Sequence, residues 1–174
     1  MSVDERMVHD IVQKVMANMQ ISGSVSGMHG VFKDMNDAIN ASIEAQKKVC
    51  TMTLDQREQI ISLIRKKTHE NAEILANMGV NETGMGNVGD KILKHHLTAD
   101  KVPGTEDIST IAWSGDRGLT LVEMGPFGVI GAITPATNPS ETVICNCIGM
   151  LAGGNTVVFN PHPNAKKTTI YTIN

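Results

Sequence analysis

Aromatic side chains are scarce: one Trp, one Tyr and three Phe in 174 residues. A core built on stacked rings is excluded, and it must come from Ile, Val, Leu, Ala and the 11 Met. Positive charge is not in excess, since the formal net charge is −3. That argues against a general nucleic-acid binder, which carries a basic face. Cysteine is sparse and odd in number, at Cys50, Cys145 and Cys147. Such a set is no disulfide scaffold and fits a reduced, cytoplasmic setting. No run approaches the roughly 20 apolar residues that cross a bilayer, so no membrane partner is expected. The first twenty residues hold Asp4, Glu5, Arg6, Asp10 and Lys14, so they lack the apolar centre of a secretion signal.

What is present is periodic. Val8, Ile11, Val12, Val15 and Met19 fall at helical spacing, with polar residues on the opposite face. Residues 1–20 are therefore expected to form an amphipathic helix. Residues 21–30, rich in Gly and Ser, read as a flexible linker. A short helix on a tether either docks in a groove of another protein or folds back on its own domain. Residues 31–49 read as a helix with Phe32, Met35, Ile39 and Ile43 on its buried side. Thr53-Leu-Asp-Gln56 is a capping box. It opens a helix to about Met78, with Ile60, Ile61, Ile64, Leu75 and Met78 as the buried stripe and Gly79 as the stop. Glu82-Thr-Gly-Met-Gly86 is a turn, residues 88–97 resume a helix, and Pro103-Gly104 breaks it.

Past Pro103 strands begin. Leu119–Glu123 reads as one. Val129–Ile133 and Thr156–Phe159 are short apolar runs suited to buried strands, with a helix from Pro139 to Leu151 between them. Strand, helix, strand at this spacing is a βαβ unit with parallel pairing. Residues 164–173 begin another helix. The expected class is α/β, with N-terminal helices followed by the start of a parallel sheet that is incomplete at Asn174.

Chemistry concentrates at Ile133-Thr-Pro-Ala-Thr-Asn-Pro-Ser-Glu141, where a parallel strand runs into a helix. Ligands of open α/β sheets gather at such ends. Asn138 suits the N-cap, Pro139 the first turn and Glu141 the third position. The free N–H groups there suit a polarised oxygen. Thr137 and Asn138 are thus candidate oxyanion donors; equally, Asn138 serves as a plain helix cap. Asn160 and His162 follow the next strand and stand where a ribose or phosphate would lie, or in an ordinary strand-to-helix connection. Cys145 and Cys147 diverge on a helix, cannot share a metal, and read as core residues. His95 and His96 read as a solvated helix face rather than a metal site. Gly84 and Gly86 read as a helix end and turn, not a phosphate loop.

Gly125-Pro-Phe-Gly-Val-Ile-Gly-Ala-Ile-Thr-Pro135, Thr137-Asn-Pro139, Ala152-Gly-Gly-Asn155 and Val157-Val-Phe-Asn-Pro-His-Pro163 together resemble the aldehyde dehydrogenase superfamily. With Glu82-Thr-Gly-Met-Gly86, Asp90-Lys91 and Pro103-Gly-Thr-Glu-Asp107 they are similar to its CoA-acylating branch, the propionaldehyde and acetaldehyde dehydrogenases of bacterial microcompartments. The resemblance spans residues 31–174 nearly continuously. It implies that residues 31–174 are the N-terminal part of a Rossmann-like NAD-binding domain. It implies a reaction of a short-chain aldehyde with NAD and coenzyme A, through a nucleophilic Cys and a thioester. Ile133, Thr134, Pro135, Ala136 and Thr137 would line the nicotinamide side, and Asn160, His162 and Pro163 the adenosine side.

Two departures stand out. Hydrolytic relatives carry Pro-Trp-Asn, whose Asn holds the oxyanion; ungapped counting from Gly154-Asn155 puts Thr137 in that place and Asn138 one step on. They also carry a Lys and a Glu where this chain has Asn160 and Pro163, which removes one ribose contact. The family's nucleophilic Cys, general base and later glycine turn would lie beyond Asn174, so the chain as given is expected to lack dehydrogenase activity. Residues 1–19 resemble the targeting peptides of microcompartment cargo, implying a shell-protein partner, a place inside a microcompartment and, for the full-length enzyme, a homo-oligomer. Two alternatives remain: the aldehyde dehydrogenase part of a bifunctional aldehyde–alcohol dehydrogenase, and a non-catalytic cargo or interaction fragment.

Overall fold

A computed structural model describes residues 28–174. The amphipathic helix expected over residues 1–20 and most of the linker lie outside the described residues. Helix α1 is Met35–Val49, capped by the Asp34 carboxylate on the Asn36 N–H at 2.8 Å. Its expected inward stripe is inverted: Met35, Ile39 and Ile43 are exposed, while Ser42 and Val49 are buried. Polar hooks cause this. Gln46 donates to the Gly154 carbonyl at 2.8 Å and accepts from the Thr156 N–H at 2.7 Å, while Ser42 meets the Thr156 hydroxyl at 2.9 Å. Buried strand ends must find hydrogen-bond partners, and α1 turns its polar side to supply them.

Helix α2, Leu54–Thr83, starts at the expected capping box of Thr53 and Gln56. It runs through Gly79 and stops at Gly84, whose φ of 68° is left-handed. Gly79 keeps helical backbone and lies beside the Lys91 stem, 3.8 Å from where a Cβ would stand, an ordinary contact distance. Helix α3, Val88–Lys101, is capped by Asn87 on the Asp90 N–H at 2.9 Å. Arg65 of α2 donates to the carbonyls of Ala99 and Val102 at the end of α3. With Gly79 beside Lys91 at the other end, these contacts make α2 and α3 an antiparallel hairpin.

Strands β1, Ile111–Gly115, and β2, Gly118–Val122, form an exposed antiparallel ribbon. The sequence pattern reveals only its second strand. Strand β3, Val129–Ile133, helix α4, Pro139–Ala152, and strand β4, Thr156–Asn160, form the expected βαβ unit. The strands pair in parallel, Val129 opposite Thr156 through to Ile133 opposite Asn160. Ile61, Leu75, Ile144, Ile148 and Ala152 form the core where α2 packs on α4. The turn Pro163–Ala165 then leads to α5, Lys166–Ile173. Glu82, at the end of α2, accepts from the N–H groups of Lys167 and Thr168 and from the Thr168 hydroxyl at 2.7–2.8 Å. Burial pushes its carboxyl up, but these bonds outweigh it and hold the group below its ordinary value.

Of the two cysteines on α4, Cys145 is exposed, contrary to its reading as core. Cys147 is half-buried, and burial pushes its thiol up to about 12, so it stays protonated and inert at neutral pH.

Candidate functional site

The register of β3 and β4 sets their C-terminal ends side by side, with Ile133 opposite Asn160. The pairing continues one residue further, where the Thr134 N–H donates to the Asn160 carbonyl at 3.1 Å. Two predicted groups therefore share one sheet edge: Ile133, Thr134, Pro135 and Ala136 from β3, and Asn160, His162 and Pro163 from β4. Ile133 is 84% exposed although it ends an apolar strand. Thr134 is buried, and its hydroxyl has no partner among the described residues. Asn160 is exposed at the tip of its strand. His162 accepts from the Asn164 N–H at Nδ1, 3.1 Å away, so its neutral ring carries its proton on Nε2 and offers a donor.

Thr137 and Asn138 lie on a different wall. With Met85, Gly86, Asn87, Asp90, Lys91 and Lys94 they line a cleft of about 310 Å³ between α3 and the start of α4. Asn138 occupies the N-cap position of α4, yet its side chain makes no capping bond. Its Oδ1 accepts from Lys94 Nζ at 2.9 Å, and its Nδ2 lies 3.5 Å from the Thr137 hydroxyl.

Beneath this turn is a buried polar network that the sequence pattern does not reveal. The Lys91 and Glu141 side chains are each only 6% exposed. Lys91 Nζ donates to the Thr137 carbonyl at 3.0 Å and to Glu141 Oε1 at 3.3 Å. Ser140 Oγ lies 2.8 Å from His95 Nε2 and 3.1 Å from Glu141 Oε2. His95 Nδ1 sits 2.7 Å from the Lys91 carbonyl, and the ring is completely buried. His95 is thus core, not a solvated face. Its neighbour His96 turns to α2, with Nδ1 2.7 Å from that of His69.

The protons of this network are constrained. A carbonyl only accepts, so His95 Nδ1 carries the proton, and Nε2 of the neutral ring must accept from Ser140. The single hydroxyl proton then cannot also serve Glu141. Burial holds the His95 pKa below its ordinary 6.5, against the raising effects of the Lys91 carbonyl and Glu141. The ring is neutral at physiological pH. Its proton affinity is greater unfolded than folded, so the protein is expected to lose stability as pH falls below about 6.5 and to lose none from this group above it. Melting curves between pH 7.5 and 5 check this; a slope unchanged in His95→Gln would remove His95 as the cause. The two spacings that announce the network, Lys91 to His95 and Ser140 to Glu141, are too common to single it out.

Residues 14–174 match the aldehyde dehydrogenase family. The acetaldehyde dehydrogenase (acetylating) of Bilophila wadsworthia is 47% identical, across 95% of this chain and 36% of that protein. A propionaldehyde dehydrogenase from the Clostridium phytofermentans fucose utilisation bacterial microcompartment is 76% identical with a TM-score of 0.80, over 82% of this chain and 33% of that one. Rhodopseudomonas palustris propionaldehyde dehydrogenase, solved with bound propionyl-CoA, is 44% identical with a TM-score of 0.81, over 91% and 34%. The chain spans about a third of the length of these relatives. Strand tips, helix start and matched residues agree: this chain belongs to the aldehyde dehydrogenase family.

Proposed function

We propose that residues 31–174 supply the cofactor wall and the oxyanion donor of an NAD-dependent, CoA-acylating aldehyde dehydrogenase. The observation that carries this reading is the Ile133–Asn160 register, which sets two strand tips together one turn before the start of α4. On it Ile133, Thr134, Pro135 and Ala136 line the nicotinamide side, and Asn160, His162 and Pro163 the adenosine side. The donor set fits a dinucleotide. The Asn160 amide and the His162 Nε2–H suit ribose and phosphate oxygens, no carboxylate stands among these residues, and the buried Thr134 hydroxyl is without a partner among the described residues. Bound there, the cofactor supplies a hydride acceptor.

The residues of this chain position and polarise. The aldehyde carbonyl approaches through the cleft beside Asn138, whose N–H groups stabilise the oxygen as it becomes an oxyanion. Thr137 spends its carbonyl on Lys91, so it holds the turn while Asn138 donates. Balanced, the reaction takes aldehyde, CoA thiol and NAD+ to acyl-CoA, NADH and a proton. The relative that holds propionyl-CoA supports the acyl acceptor and a short-chain substrate.

The test uses the protein as its gene encodes it, mixed with propionaldehyde, CoA and NAD+. NADH and propionyl-CoA are expected in equal amounts. NADH formed without CoA would overturn the acylating step, and no NADH at all would overturn the reading.

We further assign residues 1–20 as a targeting helix and 21–30 as its tether, with residues 1–19 docking on a microcompartment shell protein and the enzyme working inside. Their residue pattern and the microcompartment origin of the 76% identical relative support this. The bare Ile111, Trp113 and Val122, which share one face of the β1–β2 ribbon, suit a second copy, hence a homo-oligomer. Diffuse fluorescence from a fusion to residues 1–22 would remove the first assignment, and a monomeric mass in solution the second.

A further inference from the structure

We propose that Lys94 is a positioning residue for the reaction: it pins the oxygen of the Asn138 amide, so that the Nδ2 N–H groups are the ones turned toward the substrate oxygen. This rests on the reading of Asn138 as the oxyanion donor. An Asn at a helix N-cap ordinarily turns its Oδ1 onto an N–H of the first turn. Asn138 does not; its Oδ1 lies 2.9 Å from Lys94 Nζ. An ammonium group has donors and no acceptor. The end of the amide that faces it must therefore be oxygen, which leaves Nδ2 on the other side. The positive charge also draws electrons from the amide and strengthens Nδ2 as a donor.

The backbone is set the same way by Lys91, three residues earlier on α3. Its ammonium takes the Thr137 carbonyl at 3.0 Å. No described peptide bond is cis. Across a trans peptide the carbonyl and the next N–H point in opposite directions, so the Asn138 N–H is aimed away from Lys91. Both N–H sources of Asn138 thus turn from the lysines that hold its oxygen and its preceding carbonyl. Helix α3 is itself fixed against the site. The Lys91 stem passes between Gly79 and Gly86, where added Cβ atoms would lie 3.8 and 3.5 Å from it, and His95 is bound to Ser140 on α4. Lys94 therefore projects from an anchored helix, and the direction of the Asn138 amide is dictated by α3 rather than by α4, the helix it begins.

The experiment compares Lys94→Met, Lys94→Arg, Asn138→Ala and the Lys94→Met/Asn138→Ala double variant in the protein as its gene encodes it. Lys94→Met is expected to lower kcat about tenfold to hundredfold, part of the loss seen when an oxyanion donor is removed, with the aldehyde KM little changed. Lys94→Arg, also donor-only, restores most of it. The Tm stays in place, because an exposed contact of this kind carries little stability. In the double variant the loss equals that of Asn138→Ala alone. Crystals of Lys94→Met show the Asn138 amide rotated off its present direction. A kcat kept in Lys94→Met but lost in Asn138→Ala overturns the positioning role and leaves the donor reading intact. A kcat kept in Asn138→Ala overturns both. Joint loss of kcat and Tm in Lys94→Met, or an unrotated Asn138 in its crystals, also overturns the positioning role.

Discussion

Lys91→Met destabilises the protein by about 3–5 kcal/mol, the cost of leaving one member of a buried ion pair without its partner. The Met side chain itself fits, since it follows the Lys stem between Gly79 and Gly86. The loss comes from what the ammonium leaves behind. Glu141, 6% exposed, is left in the core without its cation, with the Ser140 hydroxyl beside it. That hydroxyl is already committed to His95. The Thr137 carbonyl also loses its donor. At roughly 2–4 °C per kcal/mol for a domain of this size, the Tm falls on the order of 10 °C or more. The companion variant separates burial from bonding. Lys91→Met with Glu141→Leu removes both charges and recovers most of the loss. If urea unfolding finds the double variant as unstable as the single one, the stranded carboxylate is not the cause.

On the proposed role of Asn138 as oxyanion donor, Asn138→Ala in the protein as its gene encodes it is expected to lower kcat about 10²- to 10³-fold, as removal of one such donor does elsewhere, while the Tm hardly moves. The pairing of these two outcomes decides a question the residue pattern leaves open. A helix cap replaced by Ala costs about 1 kcal/mol of stability; a donor aimed at substrate costs rate instead. Asn138 makes no capping bond, so the second result is expected. Thr137→Val is the contrasting change. Its carbonyl, not its side chain, meets Lys91, so most of the activity survives. A fall in Tm with kcat preserved in Asn138→Ala would return that residue to the role of a plain cap. A larger loss of kcat in Thr137→Val than in Asn138→Ala would make Thr137 the donor.

The βαβ unit is legible in the sequence because its signals are local. Val129–Ile133 and Thr156–Phe159 are compact apolar runs, and Asn-Pro-Ser-Glu between them marks a helix start. Where neighbours distant in sequence decide, the pattern misleads. Glycine ends a helix only where its backbone turns left-handed, as Gly84 does and Gly79 does not. The stripe of α1 is inverted because Gln46 and Ser42 answer hydrogen-bonding needs at Gly154 and Thr156. Adjacent histidines must diverge on a helix, but the choice of His95 as the buried one depends on Ser140, 45 residues on. The strand tips are visible from periodicity. The polar network beneath Thr137 and Asn138 is not, since each of its decisive bonds joins α3 to the start of α4.

The seat of α1 on β4 also bears on the order of assembly. Its hooks, Ser42 and Gln46, reach partners 108 to 114 residues away. The α2–α3 hairpin needs only short-range closure through the turn at Gly84. Closing a long loop costs more chain entropy and delays its reward. The hairpin is therefore expected to form early and α1 to lock last, once the crossover has delivered β4. Among the described elements, the first helix to leave the ribosome waits for a strand made more than a hundred residues later.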